Sequence, residues 1–217
     1  MSSFWNNRIS ISIFGESHGP SIGVVIDNLP PGEYIDMEKV LQFMARRAPK
    51  KDGTTTPRSE KDLPQVQSGM LNNRTTGVPL CAIIQNTDTR SKDYSNLERL
   101  PRPGHADYTG AMRYRGFQDV RGGGHFSGRL TAPLCFAGQI LERRGIYTGA
   151  HIAAIHGVED DAFSETDVSR ADILAVREKP FAVINDAQGE IMQEDIRNAG
   201  KGGESLGGLI ECAVVNM

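Results

Sequence analysis

Glycine beside histidine is the feature that most limits how this chain can fold. It occurs as Gly15-Glu16-Ser17-His18-Gly19, as Arg102-Pro103-Gly104-His105-Ala106-Asp107, and as the loop Gly122-Gly123-Gly124-His125-Phe126-Ser127-Gly128-Arg129. Glycine adopts backbone angles closed to other residues, so each segment reads as a tight turn. Each also lets the main chain approach a ligand closely. Imidazole is the side chain whose ordinary pKa lies nearest neutrality, and histidines held on such turns read as candidate proton carriers.

The flanking sequence supplies the scaffold. Ile9 to Phe14 alternates in polarity and Ile22 to Ile26 is β-branched, which predicts two strands joined by a turn that carries His18. Asp36 can cap a helix with Met37, Val40, Leu41 and Met44 on one face, ended by Pro49, and this places Arg46 and Arg47 in its last turn. Basic residues there also suit the helix dipole with no ligand present. Segment 49–62, with Lys50, Lys51, Arg58 and Lys61, reads as a basic loop able to close over an anion. Val78 to Ile84 predicts a strand.

After the triple glycine, either Ser127 or Thr131 can cap a helix, with Pro133 in its first turn and Leu130, Leu134, Ala137 and Leu141 as its stripe. Ile152 to Val158 predicts a strand, Ser169 to Asp172 a capping box, Gly189 to Ala199 a helix stopped by Gly200, and Leu206 to Val215 a last strand. This alternation favours an α/β or α+β sandwich, taken as one domain over residues 1–217. The chain stops at the end of an apolar strand, the ending expected of a truncated sequence.

Composition narrows the function. An apolar fraction of 38% with 24% charged residues is that of a globular protein, and no apolar run is long enough to span a bilayer. With no signal peptide, a cytoplasmic protein without membrane partners is expected. Cys81, Cys135 and Cys212 sit among apolar neighbours and read as reduced core thiols. Residues 1–130 hold 17 basic against 13 acidic residues, while residues 131–217 hold 7 against 14. The basic half carries the three glycine segments, which suits a small anion and is too weakly basic for nucleic acid. His151 and His156 lack a third ligand at metalloprotease spacing, so no metal site is expected.

Three aligned glycine amides beside a helix N-terminus can bind a phosphate or the polar edge of a flavin, although such runs are also plain turns. Ser127, Arg129 and Thr131 add hydroxyl and guanidinium donors on that side. The chain lacks both a dinucleotide fingerprint and a P-loop, which removes phosphotransfer from a nucleotide.

The order Phe14-Gly15-Glu16-Ser17-His18-Gly19, Asn86-Thr87-Asp88-Thr89-Arg90-Ser91-Lys92-Asp93-Tyr94, Arg102-Pro103-Gly104-His105-Ala106-Asp107-Tyr108-Thr109 and Arg121-Gly122-Gly123-Gly124 resembles chorismate synthase. Gly203-Glu204-Ser205-Leu206-Gly207-Gly208 resembles a later family segment. The resemblance implies a β-α-β sandwich, usually a homotetramer, and a lyase of the shikimate pathway of aromatic amino-acid biosynthesis. Its reaction converts 5-enolpyruvylshikimate 3-phosphate to chorismate by 1,4-anti elimination of phosphate and requires reduced FMN. His18 and His105 would be catalytic, Arg46, Arg47, Arg102 and Arg129 would bind substrate, and Gly124, His125, Phe126, Ser127 and Thr131 would contact the flavin. The family's C-terminal Arg-x-Asp segment has no counterpart here, so a truncated chain inactive by itself is expected.

Two departures qualify the resemblance. The family usually follows its glycines with Arg-Ser-Ser-Ala/Gly-Arg-Glu-Thr, whereas this chain has His125 to Thr131, and an arginine common near position 53 is Gly53 here. The alternative from another class is a binding remnant of the scaffold that has lost the reaction. Retention of both His18 and His105 speaks against it.

Overall fold

The computed structural model describes residues 3–48, 54, 61–87, 97, 99–142 and 145–216, which fall into two compact units. Lys50, Lys51, Arg58 and the stretch Asp88 to Tyr94 lie outside the described residues.

The first unit takes in residues 1–48 and 58–140. Its sheet is antiparallel, in the order β1 (Phe4–Asn6), β2 (Ser10–Gly15), β3 (Ser21–Asp27), β7 (Leu80–Gln85) and β4 (Pro64–Ser68). The register sets Val24 between Ile13 and Ala82, Ile22 beside Ile84, and Ile26 beside Leu80, so alternate residues of three strands share one buried face. Short strands β5 (Met70–Leu71) and β6 (Arg74–Thr75) form a separate hairpin.

Helix α1 (Met37–Arg47) starts where expected, with the Asp36 carboxylate accepting the Lys39 amide at 3.2 Å, and it buries Val40 and Met44 one turn apart. Leu41 stays partly exposed. Helix α2 (Asp107–Tyr114) follows the second histidine segment directly and ends at Arg115 in the left-handed conformation. Ser127 and Thr131 divide the predicted capping role. Ser127 caps a 3-10 turn at Gly128–Leu130, and α3 (Thr131–Leu141) begins at Thr131 with Pro133 in its first turn. Of the predicted stripe Leu130 and Ala137 are buried, while Ala132, Pro133, Phe136 and Ile140 complete the buried face of α3 and Leu134 faces outward.

The second unit takes in residues 49–57 and 141–217. Its sheet runs β10 (Gly208–Val215), β8 (Tyr147–Ile155), β9 (Val158–Glu159), all antiparallel. Helix α4 (Arg170–Arg177) carries the predicted capping box between Ser169 and Asp172. It lies so close to β8 that a Cβ on Gly149 would stand 2.7 Å from Ile173 Cγ2. Helix α5 (Asp186–Lys201) runs through Gly200 and stops at Gly202. Cys212 corrects the expectation of three core thiols, because it lies on the exposed face of β10 while Cys81 and Cys135 are half-buried. No described helix is long and apolar enough to cross a membrane.

Candidate active site

All three glycine and histidine segments belong to the first unit. A cavity of about 260 Å³ is lined by Arg102, Gly104, His105, Ala106, Asp107, Gly122, Gly123, Phe126, Ser127 and Gly128, so the second and third segments make its walls. Gly122, Gly123 and Gly124 have φ of 58°, 83° and 54°, the left-handed side of backbone space that a Cβ disfavours. This folds the chain back on itself beside the cavity.

His18 reaches the same place from behind. It is buried in the turn between β2 and β3, and a Cβ on Gly122 would stand 2.3 Å from its Cε1 and 2.4 Å from its Nδ1. Buried Ser17 is next, with its Oγ 2.9 Å from the same point. Gly122 is therefore the thin partition between the His18 ring and the cavity that His105 lines. The turn is fixed by Asn86, whose side-chain amide donates to Glu16 O at 2.9 Å and Gly19 O at 2.8 Å, and by the Ser17 amide, which donates to Gly124 O at 3.0 Å.

His105 is exposed at the start of α2, with Nδ1 3.2 Å from Pro103 O. Asp107, two residues after His105, takes Arg102 as its hydrogen-bonded partner. The Arg102 Nε donates to Oδ2 at 2.9 Å, Nη2 to Oδ1 at 3.0 Å and the backbone amide to Oδ2 at 3.0 Å. The hydrogen bond from Arg102 holds the Asp107 carboxyl below the usual carboxylate range against an opposing push from burial. The pair lines the cavity as a fixed fork at the N-terminus of α2.

Arg47 and Arg129 meet at a residue the sequence reading passed over, Asp62. Its side chain has no exposed surface; Oδ2 accepts from Arg47 Nη1 and Oδ1 from Arg129 Nη1. Arg129 further donates through Nε to Asn86 Oδ1 at 3.1 Å and through Nη2 to Gln85 O at 3.4 Å. Arg47 donates through Nε to Thr131 Oγ1 at 3.2 Å and through Nη2 to Gly128 O at 3.3 Å. Arg46 is exposed on α1, with its guanidinium over the Phe43 ring.

The residues assigned to the flavin separate similarly. Phe126 and Ser127 line the cavity, with Phe126 tilted against Tyr114 at 6.0 Å between centroids. Thr131 hydrogen bonds to Gly128 O at 2.6 Å and supports Arg47, while Gly124 is buried behind the wall. His125 turns inward. Its Nδ1 donates to Gly15 O at 2.7 Å and its Nε2 accepts from the Ser3 hydroxyl at 2.5 Å, so both ring nitrogens serve the scaffold. Among the described residues no three His, Cys, Asp or Glu side chains group as a metal site.

Comparison with known proteins agrees with the motif order. The family model described as chorismate synthase matches residues 9–217. The chain is 39% identical over 213 residues to chorismate synthase of Thermococcus kodakarensis, covering 96% of this chain and 58% of that protein. It is 46% identical over 153 residues to chorismate synthase of Chitinophaga pinensis, covering 69% of this chain and 46% of the relative. A crystal structure of chorismate synthase matches with a TM-score of 0.70 at 22% identity, over 96% of this chain and 58% of that one, which shows a shared mixed α/β fold. The chain thus spans about 58% of the length of such relatives.

Proposed function

This chain belongs to the chorismate synthase family, and from that premise we propose that its glycine-walled cavity is part of the site where 5-enolpyruvylshikimate 3-phosphate is converted to chorismate. The observation that carries the reading is the single partition at Gly122, with buried His18 on one side and, on the other, a cavity lined by His105 and the Arg102–Asp107 fork. The reaction breaks a ring C–O bond to phosphate and a ring C–H bond. It needs a cation for the phosphate and groups that can hold a proton on either side of the substrate. Arg102 supplies the cation. On family resemblance His18, which lies behind the Gly122 partition, would give a proton to the departing phosphate, and His105, exposed on the cavity wall, would hold one at the flavin.

Reduced FMN, when bound, supplies transient electron density to help expel the phosphate. The wall suits a flat, polar ring edge, because a Cβ on Gly123 would meet only Ser127 Cβ at 3.8 Å and Arg102 Nη2 at 4.0 Å. Phe126, Ser127 and the glycine amides would hold it there. At about 260 Å³ the cavity is smaller than the roughly 300–1,000 Å³ of ordinary small-molecule sites. It would therefore hold one part of the flavin and substrate pair. On family resemblance alone, the proposal extends to a homotetramer of the cytoplasm.

The test begins with calorimetric titration of 5-enolpyruvylshikimate 3-phosphate into the chain, with Arg102→Ala and His105→Ala alongside. Binding that weakens in both variants supports the reading, and equal binding in all three proteins overturns it. Turnover is then measured anaerobically with photoreduced FMN, in the chain joined to the C-terminal portion of its Thermococcus kodakarensis relative. His18→Ala and His105→Ala should each lower chorismate formation by roughly a hundredfold, the scale of a lost proton-transfer group.

A further inference from the structure

Asp62 has no part in the reading above, yet it joins the turn that carries His18 to the Gly128 side of the cavity wall. From Oδ1 a continuous path runs through Arg129 and its Nε to Asn86 Oδ1, and from Asn86 Nδ2 to the carbonyls of Glu16 and Gly19 on either side of His18. From Oδ2 another runs through Arg47 to Gly128 O, a lining residue of the cavity, and to Thr131 Oγ1. Two guanidiniums on one carboxylate leave a net single positive charge. Arg129, with 5% of its side chain exposed, is locked inside, while Arg47 retains 21% and can be reached by an anion.

We propose that Asp62 is a positioning residue for the anionic substrate: it fixes the Arg47 guanidinium beside the Gly128 wall and, through Arg129 and Asn86, fixes the turn that carries His18. The inference rests on the substrate reading above. Asp62 touches no ligand itself and acts through the two arginines. It stands in the left-handed conformation at φ 49° with its side chain fully enclosed.

The sign of the effect separates positioning from simple neutralisation. Asp62→Asn removes a negative charge and would strengthen anion binding if charge balance were all that Asp62 supplied. Positioning predicts the opposite, a weakening of 5-enolpyruvylshikimate 3-phosphate binding by about tenfold in spite of the added positive charge. It also predicts that the same substitution in an Arg47→Ala background adds little, because residues in one network are non-additive. The experiment is calorimetric titration of that substrate into the parent chain, the two single variants and the double variant, with thermal melts to confirm folding. Unchanged or tighter binding in Asp62→Asn, or full additivity with Arg47→Ala, overturns the proposal while the substrate reading stands. A parent chain that does not bind the substrate overturns that reading and this proposal with it. If Asp62→Asn does not fold, Thr131→Val removes the hydroxyl that accepts from Arg47 Nε without touching the buried charges. It should weaken binding in the same direction, and unchanged affinity there also overturns the bracing of Arg47.

Discussion

Substituting alanine along the triple glycine should give three different outcomes from one added methyl group. At Gly122 the new Cβ would fall 2.3 Å from His18 Cε1 and 2.9 Å from Ser17 Oγ, against the roughly 3.5–4.0 Å of a normal carbon contact. The His18 ring is enclosed, so it must rotate out of place. Left-handed strain adds about 1–2 kcal/mol and overpacking about 1–3 kcal/mol, a total of about 2–5 kcal/mol. For a chain of this size that is a fall in Tm of roughly 4–20 °C. At Gly124 the obstacle is the Asp119 carbonyl oxygen at 2.1 Å, a main-chain atom that no side-chain rotation relieves, so the loss should match or exceed the top of that range. At Gly123 the Cβ meets nothing closer than 3.8 Å, and only the strain of about 1–2 kcal/mol applies. Thermal unfolding by circular dichroism gives the order 123, 122, 124 in increasing damage, and the His18 ring signals in an NMR spectrum should shift for Gly122→Ala. A Gly122→Ala protein as stable as Gly123→Ala, with its His18 signals unmoved, would refute the partition geometry.

His125→Ala should behave as a scaffold substitution. Losing its bonds to Gly15 O and Ser3 should lower stability by about 1–3 kcal/mol in urea titration, with substrate binding little changed, and the reverse pattern would put His125 on the ligand. The second unit should be acid-sensitive through Asp160 and Glu211, which flank buried His151 with Oδ2 3.1 Å from its Nδ1 and Oε2 2.6 Å from its Nε2. Burial pushes the Asp160 carboxyl up, but the amides of Ile184, Asn185 and Asp161 together with His151 outweigh it and hold it low; the Phe163 amide and then His151 hold Glu211 low. A depressed carboxylate stabilises the fold above its unfolded pKa of about 4 and loses that contribution as pH falls through the folded value. Tm should therefore drop below about pH 4, less steeply in Glu211→Gln, and parallel curves for the two proteins would remove Glu211 from the account.

The parts of this fold that could be read in the sequence are those whose cause is local. The alternation of Ser10 to Phe14 and the β-branched run after Ser21 became β2 and β3, and Asp36 and Ser169 capped their helices. The misplaced boundaries have distant causes. Strand β8 begins at Tyr147, before its apolar run, because β10 pairs with its whole length and Ile173 needs the bare Cα of Gly149. Helix α5 begins at Asp186, capped by the Asn185 side chain, and so takes in Gly189, where a Cβ would stand 2.6 Å from Val183 Cγ2. Expecting Gly189 to open a helix assumes that it is present for its backbone freedom, whereas it is present for the neighbour it admits.

The site divides along the same line. Asp62 was invisible because its partners lie 15 and 67 residues away, and an aspartate among lysines looks like any solvated charge. A signal did exist, since buried guanidiniums such as that of Arg129 require an acid, but the burial of Arg129 is itself a tertiary fact. His18 and His125 make the point sharper. Both follow glycine turns, and nothing within five residues of either distinguishes a candidate proton carrier from a brace. The difference lies in what each ring meets: His18 stands behind the glycine that walls the cavity, while His125 spends both nitrogens on Gly15 and Ser3, 110 and 122 residues away. Glycine framing therefore marks where backbone passes close to a ring, and the atoms on the far side of that contact decide what the ring does.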